Sequence, residues 1–217
     1  MVTMKIFKSR AEWLKGRSSQ IGGSDAASIM GLSPWKSNVE LWEEKTHRRD
    51  SSDISDKPEV IFGNKAESHI RELFALDHPQ YEVHYEENNM WTNKEYPFAH
   101  ASLDGWLTDR ETGRKGILEI KTTNISSQMA LKKWENRIPD NYFCQLLHYF
   151  MVTGFDFAIL KARLRFGFDD DIYCQVRHYR IDRVEVLNDI VTLEQAEKAF
   201  VQNIELDERP DLILPNI

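Results

Sequence analysis

Features that mark several classes of protein are missing from this chain of 217 residues. It has only two cysteines, Cys144 and Cys174, which are too few for a disulfide framework or a paired-cysteine metal knuckle. No apolar run approaches the ~20 residues that span a bilayer. The N-terminal residues 1–17 lack the apolar core of a secretion signal. We therefore expect a cytoplasmic protein that has no membrane partner.

A surplus of positive charge is also missing, because the formal net charge is −7. That value argues against a broad surface that coats nucleic acid non-specifically, although it leaves room for a local basic groove. With 41% hydrophobic and 29% charged residues, the composition is that of an ordinary globular protein. The length is sufficient for one substantial core, so we expect residues 1–217 to form a single domain.

Apolar spacing, capping residues and glycine turns predict a mixed α/β fold. Helices are predicted from Ser24 or Asp25 to Gly31, from the S-x-x-E capping box of Ser37 and Glu40 onwards, and over residues 62–76, 140–153 and 182–204. Strands are predicted over 81–93, 98–108, 117–123, 157–166 and 172–181, with a hairpin across the acidic turn 167–171. The polar stretch 47–60 is predicted to be a loop. This order of elements predicts one central mixed β-sheet flanked by helices.

Two opposite charges lie on one face of a predicted strand within the stretch ASLDGWLTDRETGRKGILEIKTTN, residues 101–124. Because strand side chains alternate, Glu119 and Lys121 point the same way, while Leu118 and Ile120 point into the core. The glycine-containing turn between the strands folds the chain back and brings Asp104 alongside Glu119. The spacing therefore predicts two carboxylates and one ammonium group at a single site.

A divalent cation would remove the repulsion between these carboxylates. Carboxylate oxygens are hard ligands suited to Mg²⁺ or Mn²⁺. Such a cation polarises a phosphate and lowers the pKa of a bound water, and a lysine beside it offsets the charge that grows on the phosphate. The alternative interpretation is a surface pair of charges on an edge strand, with an unrelated aspartate in a turn.

Several segments resemble one known family, and they occur in the family's order. They are IGGSDAASIMGLSPWKSNVELWEEKT (21–46), FGNKAE (62–67), ASLDG (101–105), LEIKTT (118–123) and QLLHY (145–149). ASLDG and LEIKTT resemble its bipartite metal-binding motif, and QLLHY resembles a Q-x-x-x-Y motif. From about Arg17 to about Leu160, the sequence resembles the YqaJ-type viral recombinases and lambda exonucleases, a branch of the PD-(D/E)XK nuclease superfamily.

The resemblance implies a restriction-endonuclease-like core and a role for each matching residue. Asp104 and Glu119 would bind the metal ion, Mg²⁺ or Mn²⁺, and Glu67 would bind the metal or a water held by it. The backbone carbonyl of Ile120 would complete the coordination, and Lys121 would assist the attacking water.

The resemblance also assigns residues around the metal and at a phosphate. Gln145 and Tyr149 lie one helical turn apart and would face the same site. Gln145 would hold the catalytic lysine or the phosphate, and Tyr149 would pack or hydrogen-bond nearby. Arg17, Ser24 and Ser102 match positions that bind a terminal 5′-phosphate. A guanidinium binds phosphate through two hydrogen bonds, and a helix N-terminus favours anions.

The activity implied is that of a metal-dependent DNA exonuclease. It would enter double-stranded DNA ends, degrade the 5′-phosphorylated strand from 5′ to 3′ and leave a 3′ single strand for recombination. The resemblance also implies a homotrimeric ring, a single-strand annealing protein as partner, and a phage or prophage gene in a bacterial host. One departure is Leu103, which stands where the family has proline before the aspartate.

Two other functions stay open at this point. One is an endonuclease or nickase of the same fold from a phage or defence system, which differs from the exonuclease in cutting closed circles. The other is a nuclease-like fold that binds DNA without cutting it. The presence of Asp104, Glu119, Lys121 and Gln145 together favours a catalytic protein over the second of these.

Overall fold

The computed structural model describes residues 1–51, 53–167 and 172–214, and these contain seven α-helices and nine strands. The helices are α1 (Arg10–Ser18), α2 (Gly23–Ile29), α3 (Asn38–Lys45), α4 (Pro58–Asp77), α5 (Gln128–Lys132), α6 (Asp140–Thr153) and α7 (Leu187–Glu205). The strands are β1 (Val2–Ile6), β2 (Ile21–Gly22), β3 (Tyr81–His84), β4 (Asn89–Asn93), β5 (Tyr96–Ala101), β6 (Gly105–Asp109), β7 (Lys115–Asn124), β8 (Phe157–Phe166) and β9 (Tyr173–Asp182). A 3₁₀ turn (Arg183–Val186) precedes α7.

The strands form two mixed sheets, so the prediction of a single central sheet is wrong in that detail. The smaller sheet has the order β1-β4-β5-β2, and the larger has the order β3-β6-β7-β8-β9. In the larger sheet β7 and β8 are parallel, while the other neighbours are antiparallel. The mixed α/β class is confirmed.

Two segments predicted as continuous strands each divide between the two sheets. The segment 81–93 becomes β3 in the larger sheet and β4 in the smaller one, separated by a turn at Asn88, whose φ is +55°. The segment 98–108 becomes β5 and β6, which also lie in different sheets. The chain therefore crosses between the sheets at residues 102–104, which is where the predicted metal ligand Asp104 lies.

The helix boundaries follow local capping chemistry, with three corrections. One is the last helix, predicted over 182–204, which begins at Leu187 after the 3₁₀ turn. Ser37 caps α3 and Glu40 reaches back to it, as predicted. The prediction that Ser24 or Asp25 caps α2 is wrong. The cap is Gly22, and Asp25 accepts a hydrogen bond from its N–H at 3.0 Å.

The start of α4 was also predicted too late. The helix begins at Pro58, inside the stretch predicted as a loop, and not at residue 62. Proline favours the first helical position because its fixed φ suits a helix and its missing N–H has no role there. Helix α6 has the predicted bounds and ends at Gly154, whose φ is +65°. The hairpin of β8 and β9 is confirmed, while its turn residues 168–171 lie outside the described part of the chain.

Hydrophobic side chains cover both faces of the larger sheet. On one face Leu118 and Ile120 pack with Ile70 and Phe74 of α4. On the other face Ile117 belongs to a larger cluster that includes most of the apolar side of α6. Strand β7 is therefore buried on both sides, and any polar side chain on it is held away from bulk water. Within the described residues, no helix is long and apolar enough to cross a membrane.

A buried polar pair joins α6 to α7. The Nδ1 of His148 lies 2.7 Å from Oε1 of Glu197, and both side chains are fully buried. The Nε2 of His148 lies 2.8 Å from the carbonyl oxygen of His100 on β5. Burial by itself lowers the pKa of His148, but the charge and hydrogen bond of Glu197 outweigh it and raise the pKa above its ordinary value.

We expect Glu197→Gln to destabilise the fold by roughly 3 kcal/mol at pH 6, because it removes one partner of a buried ion pair. A histidine with a raised folded pKa stabilises fully below its unfolded pKa, about 6.5, and this contribution is lost as pH rises through the folded value. The difference from wild type should therefore shrink at pH 9. Urea unfolding at both pH values measures it.

The matched control for this substitution is Glu194→Gln, one turn earlier on α7. Glu194 pairs with the exposed Lys198 at 2.5 Å and accepts a hydrogen bond from the Tyr96 hydroxyl at 3.3 Å. Because an exposed pair contributes little, this variant should lose much less stability than Glu197→Gln. Unfolding curves of the two variants that coincide at pH 6 would contradict the assignment of a charged pair to His148 and Glu197.

Candidate active site

One open cavity of about 590 Å³ gathers most of the predicted site residues. Its walls come from α1, α4, α6, β7 and the crossing segment 102–104. Of the predicted residues, eight line it, namely Arg17, Glu67, Ser102, Asp104, Glu119, Lys121, Gln145 and Tyr149. Two do not line it. Ile120 points into the core, and Ser24 is exposed on the first turn of α2.

Asp104 is brought to β7 by the pairing of the strands that follow it. Gly105 pairs with Leu118 in antiparallel register, so the residue before Gly105 lies across from the residue after Leu118. The Oδ2 of Asp104 accepts a hydrogen bond from the N–H of Ile120 at 2.9 Å. The hairpin thus places Asp104 next to Glu119, as the sequence predicted.

The contact between Glu119 and Lys121 is buried. The side chain of Glu119 is only 1% exposed, and its Oε1 lies 2.5 Å from Nζ of Lys121. Strand β7 lies between β6 and β8, and so it is not an edge strand. The alternative of a surface charge pair on an edge strand is therefore wrong.

Helix α6 supplies the next hydrogen bonds. The Nε2 of Gln145 donates to Oε1 of Glu119 and to the hydroxyl of Tyr149, at 2.8 Å in each case. The Tyr149 hydroxyl donates to the carbonyl oxygen of Ser102 at 2.9 Å. Gln145 therefore holds the carboxylate of Glu119 here, whereas the sequence predicted that it would hold Lys121 or a phosphate.

Helix α2 lies close enough to this pair to require a glycine. A Cβ atom on Gly23 would be 2.5 Å from Cε1 of Tyr149, which is far inside van der Waals contact. The second glycine of the IGGS motif therefore lets α2 approach α6 and keeps the Tyr149 ring in place.

Glu67 enters the cavity from α4. Its Oε1 accepts a hydrogen bond from Nη1 of Arg71, one turn further along the helix, at 2.9 Å. The same nitrogen of Arg71 also donates to the backbone carbonyl of Asp104. Arg71 thus connects the helix carboxylate to the segment that carries Asp104.

Burial raises the pKa of all three carboxyl groups, and the charge of Asp104 raises the pKa of both glutamates further. Burial is the largest cause for Glu119, followed by the charge of Asp104, and together they raise its pKa to about 8. Burial and the charge of Asp104 also raise the pKa of Glu67 to about 7. Burial raises the pKa of Asp104, although the charge of Lys121 opposes it. For Lys121, burial lowers the pKa, but the charges of Glu119 and Asp104 outweigh burial and raise it.

These groups suit a hard divalent cation. The Oε2 of Glu119 is buried and has no hydrogen-bond partner among the described residues. An unpaired buried oxygen beside two further carboxylates is a donor set that a cation such as Mg²⁺ or Mn²⁺ satisfies. As it stands, no group of three or more His, Cys, Asp or Glu side chains in residues 1–51, 53–167 and 172–214 is arranged to hold a metal ion. Lys121 and Arg71 supply the counter-charges in this arrangement.

The cavity wall formed by α1 is basic and aromatic. The guanidinium carbon of Arg17 lies 4.3 Å from the ring centre of Trp13, four residues earlier on α1. The indole Nε1 of Trp13 donates to Oγ of Ser102 at 3.2 Å and to the carbonyl of Asn89 at 3.0 Å. Arg17 and Ser102 are therefore both in contact with Trp13, whereas Ser24 does not line the cavity.

Three residues of the site were missed from the sequence. Trp13 and Arg71 each lie four residues from a predicted site residue on a helix, and that spacing is a signal that points to them. Asn89 lies on β4 and bonds the backbone of Leu103. Its role depends on how two sheets meet, so no local pattern indicates it.

Solved structures with this fold include two nucleases. An alkaline exonuclease from Laribacter hongkongensis superposes with a TM-score of 0.66 at 18% identity, over 91% of this chain and 93% of that one. Its complex with dAMP gives a TM-score of 0.67. A phage-related exonuclease from Haemophilus somnus 129PT gives 0.57 at 16% identity, over 87% and 96% of the two chains. The fold is thus the PD-(D/E)XK type predicted from the sequence.

A curated relative matches at the level of sequence. The uncharacterized protein YqaJ of Bacillus subtilis (strain 168) is 37% identical over 147 residues, which are 67% of this chain and 43% of the relative. The matched region spans less than half of that relative's length.

The family itself is established by a match to its profile. The profile for the YqaJ-like viral recombinase domain matches residues 12–156, which include every residue that lines the cavity except Arg10. This chain belongs to the family of YqaJ-like viral recombinase domains.

Proposed function

We propose that the protein is a divalent-metal-dependent deoxyribonuclease that removes nucleotides from the 5′-phosphorylated strand of linear double-stranded DNA. Degradation would run from 5′ to 3′ and leave a 3′ single strand for phage-type recombination. The observation that carries the proposal is one cavity that is lined by Asp104, Glu119 and Lys121 and also by Arg17. Membership of a recombinase family and the fold shared with two exonucleases support it.

The metal, Mg²⁺ or Mn²⁺, would be held by Asp104, Glu119 and Glu67, with the Ile120 carbonyl as a further ligand. When bound, it would polarise the scissile phosphate and activate a water. Lys121 lies against Glu119, and there its ammonium group would orient the attacking water and offset the negative charge that develops on the phosphate.

Gln145 and Tyr149 would keep the reacting groups in place. The amide of Gln145 fixes one oxygen of Glu119, which leaves the unpaired Oε2 free to bind metal. The Tyr149 hydroxyl holds the Ser102 carbonyl, two residues from Asp104. A site held this closely loses little entropy on reaching the reactive geometry.

Arg17 and Ser102 would bind the terminal 5′-phosphate. Stacking on Trp13 leaves the edge of the Arg17 guanidinium available for a bidentate contact with phosphate. The cavity wall carries four basic and four acidic side chains, which are Arg10, Arg17, Arg71, Lys121, Glu67, Glu87, Asp104 and Glu119. A bound divalent cation would make this balance positive, so DNA can bind there despite the net charge of −7.

The remaining expectations stay predictions of the sequence. They are a single domain over 1–217, a homotrimeric ring, an annealing protein as partner, and a phosphate contact from Ser24. Ser24 would need DNA to reach it, because it is exposed and lies outside the cavity wall.

We expect Asp104→Asn and Lys121→Ala each to reduce Mg²⁺-dependent degradation of linear duplex DNA by about 10²- to 10³-fold, the usual cost of losing a group that stabilises transition-state charge. Release of nucleotides from an end-labelled duplex measures the rate. Lys133→Ala is the control, because Lys133 is exposed and does not line the cavity. Undiminished degradation by either site variant would contradict the proposed mechanism.

The terminal phosphate gives a separate prediction for Arg17→Ala. We expect wild type to degrade 5′-phosphorylated duplex faster than 5′-hydroxyl duplex, and the variant to lose about 10- to 100-fold on the phosphorylated substrate alone, which corresponds to one charged hydrogen-bonded contact. Lys15→Ala, on the same helix but outside the cavity wall, should behave as wild type.

A closed circular duplex completes this experiment. An enzyme that depends on DNA ends leaves the circle intact. Rapid nicking or linearisation of the circle would favour the endonuclease alternative, and equal rates on both linear substrates would contradict the role of Arg17.

A further inference from the structure

The segment 102–104 crosses between the two sheets without a strand partner of its own, and side chains satisfy its backbone instead. The Tyr149 hydroxyl holds the carbonyl of Ser102 at 2.9 Å. Arg71 holds the carbonyl of Asp104. Between them, both backbone groups of Leu103 are bonded to one side chain, that of Asn89 on β4.

The side chain of Asn89 forms hydrogen bonds with both the N–H and the carbonyl of Leu103. Its Oδ1 accepts the N–H of Leu103 at 2.9 Å, and its Nδ2 donates to the carbonyl of Leu103 at 2.9 Å. The same Nδ2 donates to the carbonyl of Glu86 at 2.9 Å. Asn89 is 4% exposed and Leu103 is 2% exposed, so water does not substitute for these bonds.

We propose that Asn89 is the positioning residue for Asp104, a claim that rests on the proposed metal-binding role of that carboxylate. The residue gripped by Asn89 immediately precedes Asp104 in the chain. Without the grip, the buried N–H and carbonyl of Leu103 lose their partners, and the segment relaxes to satisfy them. A carboxylate ligand must be held within about 0.5 Å to bind a cation well, so this relaxation weakens metal binding.

Leucine at position 103 has the backbone N–H that the bond to Asn89 Oδ1 requires. A proline there has no N–H and makes no bond to Asn89 Oδ1, although its ring restricts φ by covalent means. In this chain, hydrogen bonds from a neighbouring sheet take the place of that restriction. Asn89 and the N–H of Leu103 therefore act as one unit, and their substitutions should not be additive.

The test compares Asn89→Ala with Asn93→Ala in the full chain. Asn93 is a second buried asparagine at the other end of β4. Among the residues that the structure describes, its Oδ1 accepts hydrogen bonds from the Glu95 N–H and the N-terminus and from no other group. Mn²⁺ binding without DNA is measured by isothermal titration calorimetry, and folding by urea unfolding. We expect Asn89→Ala to weaken Mn²⁺ binding about tenfold or more, as losses around metal ligands do, and Asn93→Ala to leave it within about twofold.

Kinetics give a second readout. Asn89→Ala should lower kcat and raise the Mn²⁺ concentration required, with little change in KM for DNA. Trp13, which supports Arg17, bonds the backbone carbonyl of Asn89, and alanine keeps that carbonyl. Unchanged Mn²⁺ affinity in Asn89→Ala would overturn the proposal. An equal loss in Asn93→Ala would also overturn it, because general loosening of β4 would then explain both. A wild-type chain that binds no Mn²⁺ would instead overturn the proposed function itself.

A double-mutant cycle with Leu103→Pro keeps the test sharp. In wild type the substitution removes the donor to Asn89 and should weaken Mn²⁺ binding. In the Asn89→Ala variant, the N–H of Leu103 has no acceptor. Leu103→Pro removes that N–H and should therefore restore part of the affinity for Mn²⁺. Additive losses in the two single variants would contradict the proposed bond between Asn89 and Leu103.

If Asn89→Ala fails to fold, Asn89→Asp replaces it in the test. That variant keeps the acceptor for the Leu103 N–H and loses only the donor. Wild-type affinity for Mn²⁺ in Asn89→Asp would overturn the role of the Nδ2 bonds.

Discussion

The carboxylate of Glu119 lies on a strand that is buried on both faces, and the rest of the site depends on how that charge is compensated. A buried carboxylate destabilises a fold by several kcal/mol unless opposite charge and hydrogen bonds offset the lost hydration. Lys121 at 2.5 Å and Gln145 at 2.8 Å do so for one oxygen of Glu119. The second oxygen has no such partner in the described part of the chain. The fold therefore maintains a strained arrangement of charge at the point where a cation would relieve it.

The crossing of the chain between the two sheets places a second carboxylate, that of Asp104, beside Glu119. If 98–108 were one strand, Asp104 would lie inside a ladder with its neighbours. Strand β5 ends at Ala101 and β6 begins at Gly105. The three residues between them are not held in a strand, so Asp104 can accept a hydrogen bond from the Ile120 N–H. The cost is a buried backbone segment with no ladder partners. Side chains from α4, α6 and β4 form hydrogen bonds with the backbone of this segment, so three elements contribute to the position of one carboxylate.

Sequence patterns predict the parts of this arrangement that depend on neighbours along the chain. The period of two residues in a strand is enough to place Glu119 and Lys121 on one face, and the glycine at 154 is enough to end α6. The division of 81–93 between two sheets is different, because both halves have the residue pattern of a strand. A turn over residues 85–88, which ends at the left-handed Asn88, separates them. The partner of Gln145 and the grip of Asn89 on Leu103 depend on contacts between elements far apart in sequence. Residue spacing gives no information about these contacts, so they required the structure.

Ser102 links the residues proposed to bind the terminal phosphate to those proposed to bind the metal. Its hydroxyl accepts from Trp13, which also supports Arg17, while its carbonyl accepts from Tyr149, which is bonded to Gln145. Two residues of extended chain span at most about 7 Å, so the position of Ser102 and that of Asp104 are fixed relative to each other at short range. A phosphate anchored by Arg17 and a scissile bond at the carboxylates would then be separated by a short, constant distance. Under the proposed function, the anchored phosphate would set the distance of the cut from the strand end, as the removal of terminal nucleotides requires.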